Sequence, residues 1–168
     1  MKKLYAIAVV VAITLPVLAW SASPYLSSFK DGKYDCSITS VIPDLNGLKC
    51  QGLVKHVGNN VEITVTYKDG KEVWTHNDNT LIQKEFDVKT NKEVQNYGAT
   101  ASNTPTPNSQ TFNINCKGGK CDAGVSPKNK WTIMTTASGF DYKVIGTPRD
   151  KQNEEAKLRH TFSFKLAK

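Results

Sequence analysis

Four cysteines and three histidines are the side chains of this sequence best suited to redox or metal chemistry. The cysteines form two close pairs along the chain, Cys36 with Cys50 and Cys116 with Cys121. Neither pair has the C-x-x-C spacing of a redox site, and together they are a poor match to a four-cysteine zinc site. Four cysteines allow three connectivities, but the short loops between close partners favour two local disulfides.

The three histidines, His56, His76 and His160, are isolated from one another in the sequence. No two of them have the i, i+2 or i, i+4 spacing that is typical of metal ligands. They are predicted to be surface or strand-end residues, with His76 the best candidate for an exception because Asn77, Asp78 and Asn79 follow it. The calcium-loop pattern with its Gly and terminal Glu is missing. We therefore predict no metal site and no cofactor.

Hydrolytic chemistry would need an activated nucleophile or a pair of carboxylates. The sequence contains no Gly-x-Ser-x-Gly elbow, and its cysteines are better explained as disulfides. Most of the acidic residues that could pair occupy polar positions in predicted strands, where exposure to solvent is expected; the candidates are Asp31, Asp35, Glu62, Glu72, Glu85 and Asp87. The sequence therefore favours a protein that is not an enzyme, with a hydrolase as the weaker alternative.

The N-terminal segment indicates export. Lys2 and Lys3 precede an apolar run from Ala6 to Ala19, and Ala19-Trp20-Ser21 offers small residues at the −3 and −1 positions of a cleavage site. A membrane-spanning helix needs about 20 apolar residues, and this run is shorter. A cleaved signal peptide is therefore favoured, and a retained membrane anchor is the alternative. We predict a signal peptide over residues 1–21 and one domain over 22–168, located in the periplasm or outside the cell.

Positive charge is concentrated in the C-terminal third of the chain. The formal net charge is +7, and residues 117–168 hold eleven basic and five acidic side chains, against nine and ten over residues 22–116. This asymmetry either favours an anionic surface as a partner or simply keeps an exported protein in solution. Nucleic acid is a poor partner class, because the chain lacks a basic helix and an aromatic RNP-like run.

From Gly32 onward the chain alternates between strands and turns. The clearest strand is Val61 to Tyr67, where apolar and polar residues alternate without a break. Asp69-Gly70 then gives a hairpin signal, and Ala99 to Gln110 has the composition of a long exposed loop. About eight to ten short strands joined by tight turns predict an all-β antiparallel meander, closed as a barrel rather than folded as a sandwich.

A closed barrel needs one inward face on each strand. The alternation places these side chains inward: Tyr34, Ile38, Val54, Val61, Ile63, Val65, Tyr67, Val73, Leu81, Phe86, Phe112, Ile114, Trp131, Ile133, Phe140, Tyr142, Phe162 and Phe164. Five aromatic members, Tyr34, Tyr67, Trp131, Phe140 and Tyr142, are predicted to line a ligand site. A barrel of this size either fills with its side chains or holds a small ligand, and the pattern leaves both open.

The order of motifs supports a family resemblance. Ser23 to Phe29 precedes Gly32-Lys33-Tyr34, and Arg159 lies on the last predicted strand. In this respect the chain resembles the lipocalin-like, or calycin, β-barrels, which open with a short helical turn and a Gly-x-Trp box and carry a late basic residue that packs across the box. Tyr34 replaces the Trp, and no helix follows the last strand. The resemblance implies a barrel but carries over no ligand and no binding residue.

Two functions of different classes follow from these features. The first is an exported, non-catalytic binding protein, a monomer whose barrel holds a small apolar molecule. The second is a protein-binding module, such as an inhibitor of a cell-wall or host enzyme, acting through the loop 99–110 and the disulfide-stiffened turns. Rigid loops lower the ordering cost of association, which gives the second hypothesis its physical basis.

Overall fold

A computed structural model describes residues 23–68, 70–115, 129–147 and 156–168, and it confirms the predicted closed antiparallel meander. Each strand pairs with its neighbours in sequence, and the last strand pairs with the first. A short helix, α1 (Pro24–Ser27), precedes ten strands: β1 (Gly32–Ser40), β2 (Lys49–Val57), β3 (Asn60–Tyr67), β4 (Gly70–His76), β5 (Thr80–Phe86), β6 (Glu93–Ala101), β7 (Ser109–Asn115), β8 (Lys130–Thr136), β9 (Gly139–Gly146) and β10 (Lys157–Leu166). The predicted signal peptide lies outside the described residues.

The disulfide Cys36–Cys50 is confirmed. The two residues face each other directly across β1 and β2, with their Cα atoms 4.7 Å apart. The bridge closes a loop with a sequence separation of 14, which contains a 3₁₀ turn at Pro43–Leu45. Cys116 and Cys121 lie outside the described residues, so their pairing stays a prediction.

The barrel has two distinct ends. At the first, which we call the helix end, β1 begins and α1 lies across the opening. Tyr25, Leu26 and Phe29 insert there, and each is at most 5% exposed. The Phe29 ring packs edge-on against Phe140, with 5.4 Å between ring centroids. We call residues 23–29 the plug, and we call the opposite end, where β1 finishes, the mouth end.

Most of the predicted inward positions are buried, but Val73 and Phe86 are corrections. In β4 the inward residues are Glu72, Trp74 and His76, because they lie opposite the inward Val65, Ile63 and Val61 of β3. Val73 therefore faces outward. Val73 is apolar, but the hairpin determines which way it faces. Because Tyr67 pairs with Gly70, odd-numbered residues of β3 pair with even-numbered residues of β4, and this places Glu72 inside.

Pairing with β4 determines which residues of β5 point into the barrel. Leu81, Gln83 and Glu85 lie opposite His76, Trp74 and Glu72. The register shifts between Glu85 and Phe86, and Phe86 is half-buried on the outside of the barrel. There the Lys71 Nζ atom lies 5.1 Å from the centre of its ring.

The predicted loop from Ala99 to Gln110 is too long at both ends. The β6 strand continues to Ala101 and β7 begins at Ser109, so the connection spans residues 102–108. Ala99 is buried in the barrel, and Gln110 is 1% exposed. Its side-chain amide donates to the carbonyl oxygens of Asp78 and Asn103 at 2.6 and 3.1 Å. A polar residue at a loop boundary is thus buried because its amide meets two backbone acceptors.

The architecture is compatible with a calycin-like barrel, including the short helical turn before β1. The expected packing of a late basic residue across the first-strand box does not occur. Tyr34 pairs with Leu166 at the helix end, whereas the Arg159 carbonyl accepts from the Val41 amide at the mouth end. The two features therefore lie at opposite ends of the barrel.

Candidate functional site

Exposure of the inward side chains increases toward the mouth end. Inward residues beside the plug are buried, whereas Tyr67, Gln83, Glu85, Tyr97 and Val144 are inward but only half-buried. These five residues define what we call the mouth. Among the described residues, the plug closes one end of the barrel, and the inward side chains at the other end are partly accessible to solvent.

A carboxyl group lies just inside the mouth, held by three hydrogen-bond donors. The Tyr67 hydroxyl donates to Glu72 Oε1 at 3.0 Å, and Trp74 Nε1 donates to Glu72 Oε2 at 2.7 Å. Gln83 Nε2 also donates to Oε2, at 2.8 Å, while Gln83 Oε1 accepts from the Tyr142 hydroxyl at 3.1 Å. We call these five residues the carboxyl cluster. The network orients both oxygens of Glu72 toward fixed donors.

Burial dominates the electrostatics of this cluster. The pKa of Glu72 is raised from 4.5 to about 7: burial is the largest cause, the nearby Glu85 also raises it, and the donated hydrogen bonds lower it in part. Burial also raises the pKa of Glu85, and it raises those of Tyr67 and Tyr142 well above the ordinary value. Both phenols therefore keep their protons, and Glu72 changes its charge near neutral pH.

Aromatic rings surround the carboxyl cluster. Trp74 stacks on Tyr142 with 4.0 Å between centroids and meets Phe162 edge-on at 5.2 Å. Trp131 continues this surface toward the mouth, 6.2 Å from Tyr142 and 6.5 Å from Tyr97. The arrangement combines a polarisable apolar wall with one titratable acid, which suits a ligand that has an apolar body and a hydrogen-bond donor or positive charge.

The five predicted ligand-binding residues do not form one group. Tyr67, Trp131 and Tyr142 lie in or below the mouth, as described above. Tyr34 and Phe140 lie toward the plug, 5.3 Å apart, and the Tyr34 hydroxyl donates to the Lys30 carbonyl at 2.9 Å. The structure thus separates two members of the predicted set from the mouth, while Glu72, Trp74, Gln83 and Glu85 were missing from that set.

His76 is the last residue of β4, a strand-end position as predicted, but it is fully buried at the helix end rather than on the surface. Its ring lies 5.0 Å from Phe29 and 5.7 Å from Tyr25. Neither ring nitrogen has a hydrogen-bond partner within the described part of the chain, and the same is true of the Tyr25 hydroxyl. Burial lowers the pKa of His76 to about 3, with a smaller effect from His56. His76 is therefore a neutral core residue.

His56 attaches the plug to the barrel. Its Nδ1 atom pairs with Asp31, and its Nε2 atom lies 3.1 Å from the Leu26 carbonyl oxygen. Partial burial lowers the pKa of His56, but the hydrogen bonds to Asp31 and Leu26 outweigh this effect and raise it overall. Across the described ranges, no group of three or more His, Cys, Asp and Glu side chains is arranged to hold a metal ion.

Comparison with known proteins finds no matching family model, no matching curated protein and no matching solved structure. None of the helices in the described ranges has the length and apolar character that crossing a membrane requires.

Proposed function

We propose that this protein is an exported, non-catalytic binding protein that holds a small ligand in the mouth of its barrel. The ligand has an apolar body, as expected from the aromatic interior, and also a hydrogen-bond donor or a positive charge. The observation that carries this proposal is the Glu72 carboxyl group, buried beside the aromatic wall and directly below the half-exposed Glu85 and Tyr67. The Cys36–Cys50 disulfide supports an oxidising compartment.

Close packing elsewhere in the barrel leaves the mouth as the position for a ligand. In the middle of the barrel and toward the plug, Ile63, Leu81, Phe112 and Ile133 are fully buried. Well-packed interiors leave little space beyond a water molecule, so a long lipid chain would have to displace core side chains. The ligand proposed here is therefore small, and it contacts the interior from the mouth end.

The carboxyl pair of Glu72 and Glu85 supports recognition of a cation. The two residues are directly opposite each other on β4 and β5. Burial and the neighbouring Glu85 raise the pKa of Glu72, and burial raises the pKa of Glu85. A ligand ammonium group in the mouth would favour the ionised forms. Binding would then release a proton near neutral pH, so affinity for an amine should increase between pH 6 and 8.

Binding fits the carboxyl cluster better than catalysis does. Both Glu72 oxygens already accept hydrogen bonds from the protein, which suits a fixed recognition group more than a group that must transfer a proton to substrate. Ser40 does contact a histidine, with 2.8 Å between its Oγ atom and His160 Nδ1, but this pair is not part of the carboxyl cluster, and the Ser40 hydroxyl also accepts from the Ile42 amide. The proposed binding function needs neither a nucleophile nor a cofactor.

A matched set of aromatic probes tests the proposal. Trp fluorescence and calorimetry should show that 2-phenylethylamine binds more tightly than 2-phenylethanol, and that phenylacetate binds most weakly. Glu72→Gln should reduce the preference for the amine at least about tenfold, or roughly 1.4 kcal/mol. Glu62→Gln is the control, because Glu62 faces outward on the neighbouring strand. Equal affinities for the three probes, or no effect of Glu72→Gln, would reject recognition by the carboxyl cluster.

A protein-binding function is the second candidate, favoured by the connection between β6 and β7. Hydrogen bonds hold this connection at both sides: the Ser102 amide donates to the Thr111 carbonyl, and Thr106 and Ser109 exchange backbone hydrogen bonds. A pre-ordered loop loses little entropy on association. Affinity capture with the wild-type protein should then retain a partner that is lost when residues 103–108 are replaced by a Gly-Ser loop of equal length.

A further inference from the structure

A second concave surface lies on the outer wall of the barrel and adjoins the mouth at Tyr67. It is a cleft of about 720 Å³ that crosses four neighbouring strands, β10, β1, β2 and β3. Its volume is within the range of small-ligand sites. The outward side chains that line it are polar or charged: Asp35, Ser37, Lys49, Gln51, Thr66, Lys68, Ser163 and Lys165.

The outward-facing part of the floor presents short hydroxyl side chains and one amide, and Cys36, Cys50 and Tyr67 also line the cleft. Ser37 lies directly opposite Ser163 on the neighbouring strand, and Gln51 lies directly opposite Thr66. Serine and threonine hydroxyls and the glutamine amide can each donate and accept hydrogen bonds. The floor is thus complementary to a ligand that presents many hydroxyl groups.

Three lysines form the rim of the cleft. Lys49, Lys68 and Lys165 are exposed, and none has an ion pair within the described part of the chain, where the pairs found are His56–Asp31 and Lys84–Glu93. Asp35 is the one acidic residue of the lining. The cleft therefore has an excess of two positive charges, which favours an anionic ligand.

A covalent cross-link stiffens this part of the wall. The Cys36–Cys50 disulfide joins the two central strands of the cleft at directly opposed positions. The floor residues Ser37 and Gln51 are the immediate neighbours of the bridged cysteines. A floor that is already ordered loses little conformational entropy when a ligand binds.

We propose that this cleft binds an acidic polysaccharide, a sugar chain that carries carboxylate, sulfate or phosphate groups. The hydroxyl and amide floor contacts the sugar hydroxyl groups, Asp35 accepts from them, and the lysine rim pairs with the acidic groups. The open position on the outer wall lets a long chain pass across the four strands. The hydroxyl floor and the lysine rim are not part of the mouth, which this site adjoins at Tyr67.

Binding of defined polymers to the purified protein tests the assignment. Biolayer interferometry would compare polygalacturonate, dextran sulfate, a phosphomannan, neutral dextran and inorganic polyphosphate at fixed ionic strength. The Lys49→Gln, Lys68→Gln, Lys165→Gln triple variant should lose at least about tenfold in affinity for the acidic polysaccharides. The control triple Lys89→Gln, Lys92→Gln, Lys157→Gln removes the same charge from exposed lysines outside the cleft and should lose less than about threefold.

A floor variant separates sugar recognition from charge. Ser37→Ala with Ser163→Ala keeps every charge and should weaken binding of polygalacturonate and dextran sulfate while leaving polyphosphate binding unchanged. Equal losses in the two lysine triples would overturn the assignment of the cleft. Polyphosphate binding as strong as that of the acidic polysaccharides, with no effect of the floor variant, would overturn recognition of sugar. Failure of all three acidic polysaccharides to bind would overturn both, and circular dichroism confirms that each variant is folded.

Discussion

Replacing His76 with Phe should remove much of the sensitivity of this protein to mild acid. The His76 ring is surrounded by Phe29, Tyr25 and Phe112, and neither nitrogen has a partner in the described part of the chain. Phe can occupy the same aromatic surroundings without burying two polar atoms. Two charged groups act on this site, His56 on the pKa of His76 and Asp78 on the pKa of Tyr25, and both effects are smaller than that of burial.

The magnitude follows from the pKa of His76. In the unfolded chain His76 takes up a proton as the pH falls through 6.5, whereas in the folded protein burial keeps it neutral down to about pH 3. The unfolded state therefore binds more protons between these values, and the free energy of unfolding falls as the pH falls. At about 1.36 kcal/mol per unit, the loss attributable to His76 between pH 7.5 and 5 is about 2 kcal/mol.

The assay is urea denaturation of both proteins, followed by circular dichroism across this pH range. The difference in free energy of unfolding, wild type minus His76→Phe, should fall by about 2 kcal/mol from pH 7.5 to pH 5. Taking the difference cancels groups common to both proteins, including Glu72, whose effect has the opposite sign. A difference that stays constant with pH would refute the burial of a neutral His76, whatever the absolute stability of the variant.

Three further predictions concern the rest of the barrel. Because the pKa of Glu72 is raised from 4.5 to about 7, the wild type should lose about 2 to 3 kcal/mol relative to Glu72→Gln as the pH rises from 5 to 8; parallel pH profiles in urea denaturation would contradict this. Trp131→Ala should cost about 3 to 5 kcal/mol in the same assay, since Trp131 is 4% exposed, and a cost below about 1 kcal/mol would show a loosely packed interior. Peptide mapping without reduction should join Cys116 to Cys121; a link from either to Cys36 or Cys50 would contradict the hairpin order.

The proposed binding site was less predictable than the fold, for a reason visible in β4. Apolar character pointed to Val73 as the inward residue, and Glu72 was expected to be exposed. The length of the turn after Tyr67 is a better predictor of the inward residues than apolar character, because pairing across a short hairpin determines which side of the sheet each residue faces. A buried glutamate contradicts the usual preference of the side chain, and such local conflicts occur at functional sites.

The sequence by itself determined the features that depend on neighbouring residues. Three of these features are local signals: the alternation in β3 and the other strands, the short turns between strands, and the close spacing of Cys36 and Cys50. Local hairpins are sufficient to order a meander. Strand facing is local too, since the side-chain period is two.

Tertiary structure alone decided how deeply each inward residue is buried. His76 is buried because the plug, more than forty residues earlier in the chain, covers it, whereas Glu85 on the next strand faces the mouth and stays half-exposed. The outer cleft likewise joins Lys49 and Lys68 to Lys165 only because β10 closes onto β1. Period and turn geometry act over a few residues, but burial and charge depend on whichever distant segments the closed barrel brings together.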